Sequence, residues 1–250
     1  MILRRVLVHM TNQNWTAVGV ELFVVVVGVF VGLQASNWND GRVERARERG
    51  YIVRLHEDIT ESANGLRRDI NSLEDQLTYQ ASLLSALNAC DVDEENAELV
   101  QLGLMTLGYV NPPRFSRRTV NELAASGRLE IVQSTEIKAG LAKIVAVLEY
   151  AEKVQSSVNR RLEHHLLSIQ DQVQFDLSKT STEFTADVAV IFDIKQLCQQ
   201  PRNASAISAI SFISKERLDG SKQLLARYLD FLPILEIELK TRWDYEVGSE

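Results

Sequence analysis

The longest apolar segment of the chain lies between Trp15 and Trp38, and Glu21 is its only ionisable residue. A bilayer core of about 30 Å needs roughly 20 helical residues, and this segment supplies that length. Tryptophan favours the headgroup boundary at the ends of a span. The pattern therefore predicts a transmembrane helix over residues 15–38, with Trp15 and Trp38 as membrane-interface anchors and membrane lipids as partners.

A cleaved signal peptide is the competing interpretation of this segment. Residues 22–33 have the length of a signal-peptide core, and Arg4 and Arg5 stand where its basic region would be. Against this interpretation, the basic region would be very long and would contain Glu21. The cleavage site at 33–35 also begins with leucine rather than a small residue. We therefore expect the segment to remain as an anchor.

Residues 1–14 have the pattern of a short amphipathic helix that lies in the membrane interface. Ile2, Val6 and Met10 fall on one helical face, and Arg4 lies away from the centre of that face. Such a helix places its arginines near lipid phosphates. A disordered tail is the alternative for so short a segment.

One face of the predicted span combines an acidic side chain with glycines. Glycines four residues apart allow a second helix to approach closely, and an acidic group in a span usually faces protein or water. We expect this face to pack against another transmembrane helix, either a copy of itself or a partner. The alternative is that the acidic side chain lies close enough to the membrane boundary to be hydrated. Its residues are Glu21, Val25, Gly28, Gly32 and Ala35.

The charges that flank the span leave its orientation open. Two arginines precede it, whereas five follow it within residues 42–54, so a count of basic residues favours a cytoplasmic domain. The later arginines alternate with acidic residues on a continuing helix, and a basic amphipathic N-terminus suits the anionic cytoplasmic leaflet. We therefore predict that the bulk domain lies outside the cytoplasm, with a cytoplasmic domain as the alternative.

Beyond the span, apolar residues recur at the three- and four-residue steps of amphipathic helices. The stripe from Ile52 to Leu87 covers about five heptads, and comparable stripes occupy residues 134–173 and 204–243. No strand longer than four residues is predicted. Shorter helices are predicted over residues 94–108, 120–126 and 185–199.

These elements predict an all-α fold with one N-terminal transmembrane helix and an elongated bundle of three long helices. We expect the bundle to be antiparallel because the connections between its helices are short. The predicted division is an amphipathic interfacial tail over residues 1–14, a transmembrane helix over 15–38 and a coiled-coil-like helical bundle over 39–250.

Local signals mark some of the helix boundaries. Thr119 and Glu122 have the spacing of a capping box, and Gly127 is suited to a helix C-cap. An extended connection is expected after Gly127, and Ser134 or Thr135 then caps the next long helix.

Composition and charge narrow the range of functions. The chain has 250 residues, 45% hydrophobic and 24% charged, with a net charge of −7 and no basic block, so nucleic acid is not an expected partner. Cys90 and Cys198 lack the spacing of metal ligands. They would form a disulfide if the domain is exported, but two buried free thiols are the default expectation.

Catalytic chemistry has no positive support in the sequence, which contains no phosphate-binding loop, metalloprotease motif or nucleophile elbow. The adjacent His164 and His165 point about 100° apart on a helix, so they do not readily hold one metal. His165 lies on an apolar stripe and is expected in a core or an interface, whereas His56 is expected on the solvent side. We predict no enzyme activity, no metal site and no cofactor.

Four arginines surround the short helix that follows the Pro-Pro turn. They form a weak candidate for a site that binds an anion or a partner. Surface arginines that flank a helix connection are the commoner alternative. The four residues are Arg114, Arg117, Arg118 and Arg128.

Two segments carry longer patterns, in residues 18–60 and 116–150. The first has Glu21-Leu22 at the opening of a Val/Ile-rich span, followed by Gln34, Asn37-Trp38-Asn39, an Arg/Glu helix and Tyr51-x-x-Arg54-Leu55-x-x-Asp58. The second reads Thr119-x-x-x-Leu123-x-x-Ser126-Gly127-x-Leu129-x-Ile131.

Together these patterns resemble a widespread bacterial family of uncharacterised membrane proteins with one N-terminal span, known only as a domain of unknown function. The N-terminal tail of this chain is less basic than is usual in that family. The resemblance implies a single-pass protein of a bacterial inner membrane, and with the orientation above it places the bulk domain in the periplasm. It implies no reaction and no ligand.

The function that these features favour is that of a non-enzymatic, membrane-anchored helical scaffold or interaction protein. It would self-associate through the span or dock as an accessory subunit of a larger bacterial membrane complex. The alternative is an extracytoplasmic ligand-sensing module that signals through a partner. A third interpretation, an enzyme whose site forms only in three dimensions, has no supporting motif.

Overall fold

The computed structural model describes residues 15–109, 116, 118–125, 128–176 and 189–245. About 85% of these residues are helical, which confirms the prediction of an all-α fold. The helices are α1 (Trp15–Ala89), α2 (Ala97–Met105), α3 (Arg118–Ala125), α4 (Thr135–Leu166), α5 (Ile194–Cys198) and α6 (Pro201–Trp243). Short 3-10 turns cover Arg128–Ile131 and Gln170–Gln172, and two strands, β1 (Val173–Asp176) and β2 (Ala189–Phe192), form a hairpin.

The chain divides by its internal contacts into a first unit, Met1–Tyr51, and a second unit, Ile52–Glu250. In the first unit, the described residues are helical from Trp15 onward. The described part of the chain contains one helix that is long and apolar enough, by length and composition, to cross a membrane. A signal sequence near the N-terminus would have the same properties.

In the second unit, three contacts fix the direction of α6 against α1. His56 contacts Glu236 at 3.1 Å, Glu74 contacts Lys222 at 2.6 Å, and Gln80 Nε2 donates to the hydroxyl of Ser214 at 3.4 Å. Residue numbers rise along α1 while they fall along α6. These two helices are therefore antiparallel.

Helix α4 is also antiparallel to α6. Gly140 faces the ring of Phe231 near the start of α4, and Val158 packs with Ile210 further along. It follows that α1 and α4 run parallel, which corrects the expectation of antiparallel neighbours throughout. The chain returns between α1 and α4 through α2 and α3 instead of through a tight turn.

Asp58 in α1 holds the end of this return segment. This residue is 5% exposed, and its carboxylate accepts hydrogen bonds from the backbone N–H of Thr119 at 2.9 Å and the hydroxyl of Ser116 at 2.8 Å. The expected capping box is therefore wrong, because Thr119 lies inside α3 and Glu122 instead pairs with Arg54 at 2.8 Å. A carboxylate from another helix supplies the cap oxygen.

The other end of the second unit departs most from the predictions. Helix α4 ends at Leu166, so Val173 lies in β1 and pairs with Phe192 of β2. Residues 185–188 of the predicted helix over 185–199 lie outside the described residues, and residues 189–199 contain β2 and the short α5 instead. Asp193 caps α5 by accepting from the N–H groups of Lys195 and Gln196.

Cys90 and Cys198 form a disulfide at this end, with their Cα atoms 5.5 Å apart. The default expectation of two free thiols is therefore wrong. The bond joins the residue after α1 to the last residue of α5. Around it lies an apolar core of Leu83, Ala86, Leu87, Val100, Leu104, Ile169, Val190, Leu197, Ala206 and Ile207.

Two other boundaries agree with the sequence. The side chain of Ser134 accepts from the N–H of Ile137 and caps α4. Helix α6 covers the predicted range, begins with Pro201 in its first turn, and continues through both Gly220 and Pro233. Proline fits the first turn because the N–H group it lacks has no partner there.

Candidate functional site

The apolar surface of the first unit is exposed along its whole described length. Every large apolar side chain from Leu22 to Leu33 is between 40% and 68% exposed, and none of the apolar window is buried. A continuous apolar surface of this kind marks contact with protein or membrane. No other described segment of the chain packs against this surface.

The glycines of the predicted interface face open space. A Cβ atom added at Gly28 or at Gly32 would meet nothing within 4 Å. Val25 and Ala35 are exposed on the same helix. The side chains of Glu21 and Trp15 lie outside the described side chains, whereas Trp38 is exposed, with the guanidinium of Arg42 5.8 Å from its ring.

The second unit contains a groove of about 590 Å³ between α1, α4 and α6. Its floor is apolar and includes the buried Leu66, Leu73 and Leu224. The groove exists because small residues face the space where the three helices meet: Ala151 on α4, and Gly220 on α6, where an added Cβ would meet nothing within 4 Å.

Charged side chains line the same groove. Arg161, Arg217 and Arg227 contribute three positive charges, against two carboxylates from Asp69 and Glu216. Burial lowers the pKa of Arg217, and the negative charge of Asp69 acts in the opposite direction with a smaller effect.

Gln76 lines the groove and also contains a buried acceptor without a partner among the described residues. Gln76 is 4% exposed, and its Oε1 atom has no hydrogen-bond partner among the described residues. Leaving a buried polar atom unpaired costs about 1–3 kcal/mol. Oε1 is closed to water, so a molecule in the groove does not reach it in this arrangement of the side chain.

A second concavity of about 580 Å³ lies near the start of the second unit and includes His56, Thr60 and Tyr245. His56 is 8% exposed and contacts Glu236 at 3.1 Å. The expectation that His56 lies on the solvent side is therefore wrong. The contact joins α1 to α6, so His56 serves to pack these helices.

The predicted arginine site is not assembled by the described residues. Arg118 contacts Glu61 at 3.3 Å and lies 4.0 Å from Asp58, so two carboxylates already compensate its charge. Arg114 and Arg117 lie outside the described residues, and the backbone of Arg128 is described without its side chain.

His164 and His165 lie side by side near the end of α4. The rings of His164 and His165 meet edge to face, with centroids 5.4 Å apart, and His165 is half-buried rather than part of the core. Among the described residues, no group of three His, Cys, Asp or Glu side chains is placed to hold a metal ion.

Sequence reasoning missed the groove. Its arginines are isolated in the sequence and read as ordinary charges on amphipathic helices. A single glycine such as Gly220 within a helical stripe indicates no more than a weak point of that helix. The sequence does show a small residue, Gly220, three positions after an arginine, Arg217, on one face of α6. This spacing indicates a groove only when the neighbouring helices are known.

Comparison of the chain with protein-family models, curated proteins and solved structures found no match in any of the three. The resemblance to an uncharacterised bacterial family therefore stays a prediction.

Proposed function

We propose that the chain is a non-enzymatic, membrane-anchored helical scaffold that associates with another membrane protein or with a second copy of itself through its span. The observation that carries the proposal is the uncovered apolar surface of residues 22–33, with open space at Gly28 and Gly32. Burial of apolar surface is worth about 25 cal/mol per Å², so this surface favours a lipid or protein environment over water.

Lipid alone would cover the apolar side chains, but it gives no reason for two glycines on one face. Between helices in a membrane, the main gain comes from close packing and from hydrogen bonds rather than from the hydrophobic effect. Gly28 and Gly32 leave room for a partner backbone at that face, and Glu21 belongs to the same face by its spacing.

The disulfide supports a periplasmic location for the second unit. Bonds of this kind persist in oxidising compartments and are rare in a reducing cytoplasm. With the N-terminus inside, the chain would be a single-pass protein of a bacterial inner membrane, and the Cys90–Cys198 bond would then form after export.

Mass measurement of the full chain in a mild detergent tests self-association. We expect a dimer or larger species that is lost in the Gly28→Leu/Gly32→Leu variant, because leucines prevent close approach of the helices. Val26→Leu, on the opposite face of the same helix, adds bulk without touching the glycine face and should leave the mass unchanged.

Pull-down of the full chain from native membranes covers the case of a different partner. A co-purifying membrane protein that is lost with the Gly28→Leu/Gly32→Leu variant, but retained with Val26→Leu, supports docking. A monomer that retains no membrane protein in either form would refute the proposal.

The groove of the second unit favours a second candidate function, that of an extracytoplasmic ligand-sensing module. Concave, mostly apolar sites with a few polar groups are the usual binding sites for small molecules. Signalling would still need a partner, so the anchor and its interface belong to both candidates.

A further inference from the structure

We infer that one face of α1 binds the phosphate of an anionic phospholipid through Trp38, Arg42 and Arg45, in the leaflet at the C-terminal end of the span. This site rests on the proposed membrane anchor. It uses a different face of the helix from the one proposed to bind a partner, and it names a class of lipid that the protein would select from the bilayer around it.

Three residues at the end of the apolar segment share one helical face. Trp38, Arg42 and Arg45 follow one another by steps of four and three, so they lie within about 60° of each other around the helix. Asp40 and Glu44 fall about 120–160° from Trp38. The segment therefore separates its charges, and one face carries two guanidinium groups next to an indole.

The side chains on this face lean back toward the predicted membrane. The guanidinium of Arg42 lies 5.8 Å from the centre of the Trp38 ring, and Nε of Arg45 donates to the backbone oxygen of Gly41 at 3.1 Å. Each contact reaches four residues back, because the Cα–Cβ bonds of a helix tilt toward its N-terminus. The two guanidinium groups therefore lie level with residues 38–41, about 5 Å apart along the axis, where Trp38 marks the edge of the hydrocarbon.

These groups keep donors for a ligand. Trp38, Arg42 and Arg45 are all exposed. A guanidinium carries five N–H donors, of which the contact of Arg45 with Gly41 uses one, while Arg42 meets the ring of Trp38. A Cβ atom added at Gly41 would meet nothing within 4 Å, so there is room for a headgroup beside Arg45.

The order of side chains along this face matches the order of groups in a phospholipid. Val27 and Val31 lie on the same face by their spacing and are exposed, so they provide apolar surface for an acyl chain. Beyond Trp38, the two arginines offer planar N–H groups that match the oxygens of a phosphate. In a zwitterionic lipid the ammonium of the headgroup already compensates the phosphate, so the arginines favour a lipid with a net negative charge.

The lipid face and the glycine face lie side by side on the helix. Gly28 and Gly32 fall about 80–120° from Trp38 around the axis. A partner helix that packs on the glycines therefore leaves Trp38 and both arginines next to lipid. Selection of a lipid and association through the span do not compete for the same surface.

Quenching of Trp38 fluorescence by brominated lipids measures the preference. The full chain with Trp15→Phe and Trp243→Phe keeps Trp38 as its only tryptophan. It is placed in phosphatidylcholine vesicles that contain either brominated phosphatidylglycerol or brominated phosphatidylcholine, and the quenching by each lipid gives its relative binding constant next to Trp38. We expect phosphatidylglycerol to bind about fivefold to twentyfold more tightly at low ionic strength, since each arginine near an anionic surface contributes a factor of about five. An ionic strength of about 1 M should remove most of this preference.

Two matched variants test the geometry of the face. Arg45→Gln should lower the preference about fivefold, and Arg42→Gln should do the same. Arg47→Gln removes the same charge two positions beyond Arg45, but on the other side of the helix, about 160° away. It should lower the preference less than about twofold.

Inorganic phosphate separates a lipid headgroup from a free anion. At equal ionic strength, sodium phosphate and sodium chloride should leave the same preference for phosphatidylglycerol, because a lipid also gains from the apolar surface of Val27 and Val31. Loss of the preference in phosphate but not in chloride would show that the site takes the free ion, and it would overturn the assignment to a lipid.

Three other results would overturn the inference. The first is equal quenching by the two lipids at low ionic strength, and the second is an equal loss of preference in the Arg45→Gln and Arg47→Gln variants. The third is a lack of quenching by either brominated lipid, because it would show that Trp38 does not lie against lipid.

The Gly28→Leu/Gly32→Leu variant separates this inference from the proposed self-association. We expect that variant to keep the preference for phosphatidylglycerol although its association is lost. A parent chain that is monomeric but prefers phosphatidylglycerol would refute self-association alone, whereas a parent dimer without the preference would refute the lipid site alone.

Discussion

Removal of the Cys90–Cys198 disulfide should lower the stability of the second unit by several kcal/mol. The two residues are 108 positions apart. In the chain-entropy model, cross-linking a loop of roughly 100 residues destabilises the unfolded state by about 4.7 kcal/mol. Native disulfides typically contribute about 2–4 kcal/mol, so we expect a loss between about 2 and 5 kcal/mol.

The Cys90→Ala/Cys198→Ala variant isolates the cross-link. Cys90 has a φ angle of 51°, and alanine meets the same backbone cost as cysteine in that left-handed conformation. In urea titrations of the full chain in a nonionic detergent, followed by far-ultraviolet circular dichroism, m should be about 2–3 kcal/mol/M. The midpoint should therefore fall by about 1–2 M.

Dithiothreitol provides the matched control. The reductant should lower the midpoint of the parent chain to that of the double variant and leave the double variant unchanged. A double variant that unfolds within about 0.3 M of the parent would refute the reasoning, because it would show that the cross-link does not restrict the unfolded chain.

Two further predictions concern packing in the second unit. Asp58→Ala should destabilise the unit by about 2–3 kcal/mol in the same titration, because the buried N–H of Thr119 loses its acceptor. Glu61→Ala breaks only an exposed pair with Arg118 and should cost less than about 1 kcal/mol. Equal effects of the two variants would contradict the assignment of Asp58 as a cap. Gly103→Ala should destabilise the second unit by about 1–3 kcal/mol, because its Cβ would lie 2.6 Å from the backbone oxygen of Tyr79. Gly220→Ala adds a methyl group in open space and should be neutral or stabilise the unit by up to about 1 kcal/mol. A neutral Gly103→Ala variant would show that α2 is free to shift.

The sequence predicts those elements whose boundaries are set by nearby residues. Helix α6 and the cap of α4 at Ser134 follow from local spacing and capping chemistry. The end of α4 does not, because Ile169 and Val173 continue the helical step of the apolar stripe although they lie in a turn and a strand. Apolar spacing alone does not distinguish a helix from a turn that buries the same residues.

The remaining differences depend on contacts between distant parts of the chain. Thr119 takes its cap from Asp58 and His56 packs against Glu236, and neither partner is identifiable from local sequence. The groove has the same origin, since Gln76 and Arg227 lie 151 positions apart in the sequence. Helical periodicity predicts which face of each helix is buried, but it does not predict which helices leave space between them.

The disulfide and the basic residues after the span give opposite indications of topology. The five arginines within residues 42–54 favour the cytoplasmic side by their number, whereas the Cys90–Cys198 bond favours an oxidising compartment. Arg54 belongs to the second unit, where it pairs with Glu122 at 2.8 Å, and large domains translocate with little regard to their charge. Once Arg54 is assigned to that domain, the count of basic residues next to the span rests on four arginines. A reducing cytoplasm would open the disulfide. The disulfide is therefore the stronger argument, and the periplasmic proposal follows from it.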